Sequence, residues 1–178
     1  FFDAADPSTW STLTPTDGMT DPTFLVGFPR SGTTLLDVIL RGHPEIATLE
    51  EYPLISAAVT ALRQCDDGEP TAIATMSETD LARVRAAYFK ERAKHLDDQD
   101  QQKPIIIDKL PLNLIEAGFI QRIFPNARFI LALRHPCDSV LSCYMHTFKL
   151  NSAMANFLSL ADAAHLYDAA FSTWQLYR

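Results

Sequence analysis

The residues best placed to do chemistry sit in one short run, Gly27-Phe-Pro-Arg30-Ser31-Gly32-Thr33-Thr34. It has the Gly-x-x-x-x-Gly frame of a phosphate-binding loop, whose triphosphate version continues with Lys and then Ser or Thr. Here Thr33 stands where the lysine would be, and the nearby cation is Arg30, inside the loop. Backbone N–H groups of residues 31–34, at the start of a helix, would favour an anion through dipole and hydrogen bonds together. Ser31, Thr33 and Thr34 add hydroxyl donors, and Arg30 can offer a two-pronged fork to a tetrahedral oxyanion. With the lysine absent, a metal-bound γ-phosphate is not the obvious ligand.

These side chains need elements to hold them. TFLVGF, residues 23–28, is a short apolar run rich in β-branched and aromatic residues, which predicts a buried strand. Residues 33–42 follow as a helix, with Leu35, Leu36, Ile39 and Leu40 on one side. Strand, glycine-bearing loop and helix in that order form the context that a phosphate loop requires. After His43-Pro44, TLEEYP reads as a short connection leading to a helix over residues 54–63, and CDDGEPT as a loop. Ser77-Glu-Thr-Asp80 is a capping box opening a helix with Leu81, Val84 and Tyr88 at helical spacing. KPIIIDKLP contains a second strand, 105–109, ending in Asp108-Lys109; residues 112–124 read as a helix stopped by Pro125-Asn126. RFILALR, 128–134, is a third strand with the near-continuous apolar run of a central parallel strand. Pro136 suits a first helical position and opens a helix through about His146. The closing LADAAHLYDAAFSTWQLYR is amphipathic and still running at Arg178.

Strands alternating with helices predict an α/β fold of the P-loop type, three layers with a central parallel sheet flanked by helices. Ligands of such sheets gather at the carboxyl ends of the strands. Those ends are here residues 27–31, Asp108-Lys109 and Arg134-His135, and all three carry polar or cationic groups. The expected organisation is an irregular lead-in over 1–22 and one domain over 23–178, with a helical insert at about 52–100. Three strands make a thin sheet, so the natural protein is expected to continue beyond Arg178.

Bulk properties narrow the classes. The chain has 178 residues, 47% hydrophobic and 21% charged, as in an ordinary globular domain. Its net charge of −7, from 15 basic and 22 acidic side chains, argues against a general nucleic-acid surface. Any anion site must therefore be local. No run of about 18 apolar residues is present to span a membrane, and FFDAADPSTW has no signal-peptide pattern. Cys65, Cys137 and Cys143 have no metal-ligand spacing and form no obvious disulfide framework, which suits a reducing, cytoplasmic setting. No metal site is expected. The sequence leaves the oligomeric state open, a homodimer included.

At this point the motifs resemble those of the sulfotransferases that use 3′-phosphoadenosine-5′-phosphosulfate (PAPS). The 5′-phosphosulfate loop of that family often reads Pro-Arg-Ser-Gly-Thr-Thr, found here as Pro29 to Thr34. Its 3′-phosphate motif is an Arg at a strand end and a Ser eight residues later, matched by Arg134 and Ser142 in RHPCDSVLSCY. HPEIATLEEYP is similar to the tyrosylprotein sulfotransferase stretch whose second Glu lies twenty-one residues after the loop Arg, which lands on Glu51. The resemblance implies that Glu51 is the catalytic base, with Glu50 the neighbour open to confusion with it. Burial would suit that role by raising the basicity of the carboxylate. Lys109 in IIIDKLP matches the lysine used on the phosphosulfate; the small-molecule branch has a catalytic His there instead. DKLPLN and RHPCDSVLSCYMHTF look closest to bacterial sulfotransferases that often carry tetratricopeptide repeats.

The implied activity is transfer of a sulfuryl group from PAPS to an acceptor hydroxyl or amine. Glu51, Lys109 and Arg30 would be catalytic. Arg30, Ser31, Gly32, Thr33, Thr34, Lys109, Arg134 and Ser142 would bind the donor, whose product is the 3′,5′-bisphosphate. A protein tyrosine, a carbohydrate and a small molecule are all open as acceptors. The alternatives are a nucleotide-binding module, and a P-loop kinase or NTPase with a degenerate loop, for which Asp108 would be the strand-end metal carboxylate. His43 and His135 read as structural, and the aromatic and Met residues of 144–157 as core.

Overall fold

The structure, a computed structural model, describes residues 13–64 and 73–177. The expected CDDGEPT loop with Cys65, the first twelve residues and Arg178 lie outside the described residues. Four parallel strands make the sheet: β1 (Thr23–Gly27), β2 (Ile46–Glu50), β3 (Ile105–Lys109) and β4 (Arg128–Ala132), in the order β2-β3-β1-β4. The helices are α1 (Thr33–Arg41), α2 (Leu54–Arg63), α3 (Glu78–Ala93), α4 (Ala117–Ile123), α5 (Pro136–Tyr144) and α6 (Leu160–Tyr177). This is the α/β layering expected from the strand–helix alternation.

Period-two alternation divides each strand between two cores. Phe24 and Val26 of β1 and Ala47 and Leu49 of β2 join the larger one, with residues from α2 to α6. Leu25, Ile107 and Ala132 face the other way, onto Leu36 and Leu40 of α1. Enclosing a side chain such as Phe24 contributes about 1.5–3 kcal/mol relative to leaving it in water. The alternation also sends Thr48 and Glu50 toward α1, where Arg41 donates to both.

Several expectations need correction. The stretch after His43-Pro44 is not a plain connection, because Ile46–Glu50 forms the fourth strand, β2, at the sheet edge. Its mix of Ala, Thr and Glu lacks the continuous apolar run of a central strand. Residues 112–124 are not one helix: a 3-10 turn, Pro111–Leu114, precedes α4. The third expected strand stops at Ala132, before Leu133-Arg134. On α1, Leu35 and Ile39 are exposed, while Thr33 and Asp37 are buried. Ser77 does cap α3, its hydroxyl accepting from Asp80 N while the Asp80 carboxylate accepts from Ser77 N.

The irregular stretch before β1 is fixed to the domain through one buried cation. Arg85 of α3 donates to both carboxylate oxygens of Asp17 (2.6 and 2.9 Å), to Asp21 (2.6 Å) and to Ile123 O (2.9 Å). Its guanidinium lies 5.0 Å from the Phe124 ring centre and 5.5 Å from that of Phe89.

Candidate functional site

The loop between β1 and α1 is shaped by its glycines. A Cβ on Gly27 would come within 2.7 Å of both Ala132 O and Ser31 Oγ, so the loop can lie this close to β4 only with glycine there. Gly32 caps α1 at φ 98, in the left-handed region. Arg30 is also left-handed, at φ 66, and the other such non-glycine among the described residues is Glu51, at φ 61. Each conformation costs on the order of 1–3 kcal/mol and persists only where neighbours enforce it.

For Arg30 those neighbours come from the turn just after β4 and from α5. Arg134 Nη1 donates to Arg30 O (3.0 Å), and Arg30 Nε donates to Ser142 Oγ (3.2 Å). The Cys143 thiol donates to Pro29 O (3.3 Å), and burial pushes that thiol up to about 11, so it keeps its proton. The Arg and Ser singled out by their eight-residue spacing therefore both touch the loop Arg.

Pro29 to Thr34 line a cavity of about 610 Å³ together with Glu51, Pro111, Arg134, His146 and Phe148. A second hollow of about 360 Å³ shares Arg30, Arg134 and His146 with it and includes Ser142. The Ser31 hydroxyl oxygen is buried and has no hydrogen-bond partner among the described residues.

Lys109 stands behind this wall. Its side chain is 0% exposed, and its ammonium donates to Glu50 Oε1 at 3.1 Å and Glu51 Oε1 at 2.9 Å. Glu51 N in turn donates to Lys109 O at 2.7 Å. The two carboxylate side chains are 42% and 55% exposed, so Glu51 lacks the burial that the sequence reading asked of a base. Hydrogen bonds from Lys109, then from Arg41, hold the Glu50 carboxyl below its ordinary value. Asp108 points to the opposite face, where Tyr88 donates to it at 3.1 Å. Burial raises its carboxyl to about 7.

Arg30, Ser31, Gly32, Thr33, Thr34, Glu51 and Arg134 thus meet around one cavity, Ser142 lines the adjoining hollow, and Lys109 lies one layer back. Sequence reasoning missed Pro111, His146 and Phe148. His146 falls four residues after Ser142, a spacing that brings it to the same side of the α5 end, and its ring packs edge-on against Phe148 at 4.6 Å. The expectation that the aromatic and Met residues of 144–157 form core holds for Phe157 but not for Tyr144 and Met145, which are exposed.

Comparison with known proteins adds a separate line. The model of the sulfotransferase family matches residues 22–177. Protein-tyrosine sulfotransferase 1 of Homo sapiens is 31% identical over 156 residues, which is 84% of this chain and 40% of that protein. Protein-tyrosine sulfotransferase 2 of Gallus gallus is 33% identical over 125 residues, 67% of this chain and 32% of that protein. Nodulation protein NoeE of Sinorhizobium fredii is 32% identical over 126 residues, 64% of this chain and 28% of that protein. The chain spans less than half the length of each of these relatives. No helix among the described residues is long and apolar enough to cross a membrane.

Proposed function

We propose, from the premise that this chain belongs to the sulfotransferase family, that it moves a sulfuryl group from PAPS to an acceptor hydroxyl, or less favourably an amine. One observation carries the reading: the loop of residues 29–34 and Glu51 line one cavity, while Arg134 and Ser142 both bond to Arg30. Two anion-binding places side by side suit a donor with phosphate at both its 3′ and 5′ ends.

In this reading the loop N–H groups, Arg30 and the hydroxyls of Ser31, Thr33 and Thr34 hold the phosphosulfate end. Arg134 and Ser142 hold the 3′-phosphate. The donor supplies an activated sulfuryl group and a good leaving phosphate. As the acceptor oxygen bonds to sulfur, its proton passes to Glu51, and the broken S–O bond leaves its electron pair on the departing phosphate. Arg30 and Lys109 stabilise the charge that grows there, an electrostatic task like that in phosphoryl transfer. Residues 23–178 act as one such domain, with the segment at 52–100 as its helical insert. Because relatives are named protein-tyrosine sulfotransferases, a peptidyl tyrosine is the acceptor to test first, ahead of a carbohydrate or a small metabolite.

The kinase or NTPase alternative is disfavoured by Asp108. Its side chain is enclosed and bonded to Tyr88 on the far face of the sheet, away from the loop cavity.

Thermal unfolding with adenosine 3′,5′-bisphosphate, compared with ATP plus Mg²⁺, tests the donor. The bisphosphate at about 100 times its Kd should add about 2.7 kcal/mol of stability without metal. Stabilisation by ATP–Mg²⁺ alone would refute the reading. In the same assay Glu51→Gln should bind the bisphosphate like the parent, while transfer from labelled donor falls by about 10²–10⁴-fold.

A further inference from the structure

Lys109 has two carboxylate partners where one would neutralise it, and the two differ in how they are held. Glu50 is the register partner of Lys109 across the β2–β3 pair. One of its carboxylate oxygens accepts from Lys109, and the other accepts from Arg41 of α1 at 3.1 Å. Arg41 is itself anchored by Thr48 and by the buried Asp37. Glu51 lies past the strand end in a left-handed conformation, touches Lys109 with one oxygen and lines the cavity. One carboxylate is clamped from both sides, and the other is held through one oxygen only.

This asymmetry matters for a base. If Glu51 were the sole partner of a fully enclosed ammonium, accepting a proton would strand that cation without a counter-charge. Such a carboxylate would be a poor base. With a second carboxylate fixed beside it, the ammonium stays neutralised whichever charge Glu51 carries. We infer that Glu50 is a positioning residue of the proposed transfer, the standing counter-ion that keeps Lys109 charged and in place while Glu51 changes charge. The inference rests on the reading of Glu51 as the base.

The other charged groups around Glu50 are already engaged. Tyr52, His95, Asp100 and Lys103 share an outer hollow with Arg41 and Glu50. Lys103 pairs with Asp100, and His95 stacks on Tyr52 and bonds to Glu91. Within hydrogen-bond reach of the Glu50 carboxylate only Lys109 and Arg41 remain among the described residues.

The test is a double-mutant cycle of Glu50→Gln, Glu51→Gln and both together, which requires no acceptor. Three readouts are taken: thermal unfolding, the NMR signature of the Lys109 ammonium near neutral pH, and calorimetric binding of adenosine 3′,5′-bisphosphate. Either single variant should keep the ammonium signature and unfold within a few degrees of the parent. The double variant should lose the signature and lose more stability than the sum of the singles. Additive losses with the signature intact in the double variant would overturn the inference, as would loss of the signature in Glu51→Gln alone. If the double variant does not fold, adding Lys109→Met should restore folding by removing the stranded cation, and failure to do so also overturns it. A parent that does not bind the bisphosphate would instead sink the donor reading, a separate result from the cycle.

Discussion

Two buried cations in this molecule each hold two carboxylates, and they are built to opposite ends. Arg85 is 1% exposed, and Asp17 and Asp21 are themselves largely covered, at 25% and 5%. Backbone carbonyls and two aromatic rings complete its shell. Lys109 is as deeply enclosed, yet Glu50 and Glu51 stand about half in water. The first arrangement is closed on all sides and fixes the chain before β1 onto α3 and α4. The second is closed behind and open in front, so a carboxylate can leave it. Burial of the cation alone does not separate a closed clamp from an open one; the exposure of its partners does.

The largest effect expected from breaking this contrast is at Arg85. Arg85→Ala leaves two covered carboxylates without their cation and should cost about 3–5 kcal/mol, read by denaturant unfolding. Lys109→Met, a swap of similar volume, should cost far less, about 1 kcal/mol, because Glu50 keeps Arg41 and Glu51 can hydrate. Equal losses at the two sites would erase the distinction between closed and open clamps.

Asp108 is a third case, a buried carboxyl whose hydrogen-bond partner is the Tyr88 phenol. Burial raises it to about 7 from 3.8, with the Tyr88 hydrogen bond opposing as the smaller effect. A group raised in the folded state stabilises folding fully below its unfolded value and loses that contribution as pH rises through the folded one. The parent should therefore lose stability between about pH 4 and pH 8, on the order of a few kcal/mol from this residue. Asp108→Asn, which can still accept from Tyr88, should flatten that slope and unfold later than the parent at pH 8. An unchanged slope would assign the pH dependence elsewhere.

What could be read in advance follows how local the signal is. The Gly27–Thr34 loop, and Arg134 with Ser142, are short-range patterns on a strand–helix frame, and the fold brings them into contact. Strand β2 has a weak local signal because Ile-Ala-Thr-Leu-Glu is an edge strand with Thr48 and Glu50 turned to α1, so it has no continuous apolar run. The pairing of Glu50 with Lys109 depends on the register between strands more than fifty residues apart, which no local pattern encodes. The same holds for Phe148, which lines the cavity from beyond the end of α5, whereas the four-residue step from Ser142 to His146 is a local signal. The type of Lys109 is legible in IIIDKLP, but its place behind Glu51 is not, since nothing in that run reports what covers the strand end.

The smallest expected effect lies within the closed clamp. Asp17 is its less buried carboxylate, and the hydrogen bonds from Arg85 hold its carboxyl below the usual 3.8. A depressed group stabilises folding above its unfolded value and loses that contribution as pH falls through the folded one, the reverse of Asp108. Asp17→Asn keeps one acceptor oxygen for Arg85, and Asp21 retains the rest of the charge pairing. The substitution should cost about 1 kcal/mol near neutral pH, and the gap from the parent should close as pH drops below about 4. Thermal unfolding of Asp17→Asn and Asp108→Asn across the same pH series should then diverge from the parent in opposite directions as pH rises. If Asp17→Asn instead costs as much as Arg85→Ala, the clamp depends on every member, and the graded exposure of its carboxylates carries no energetic meaning.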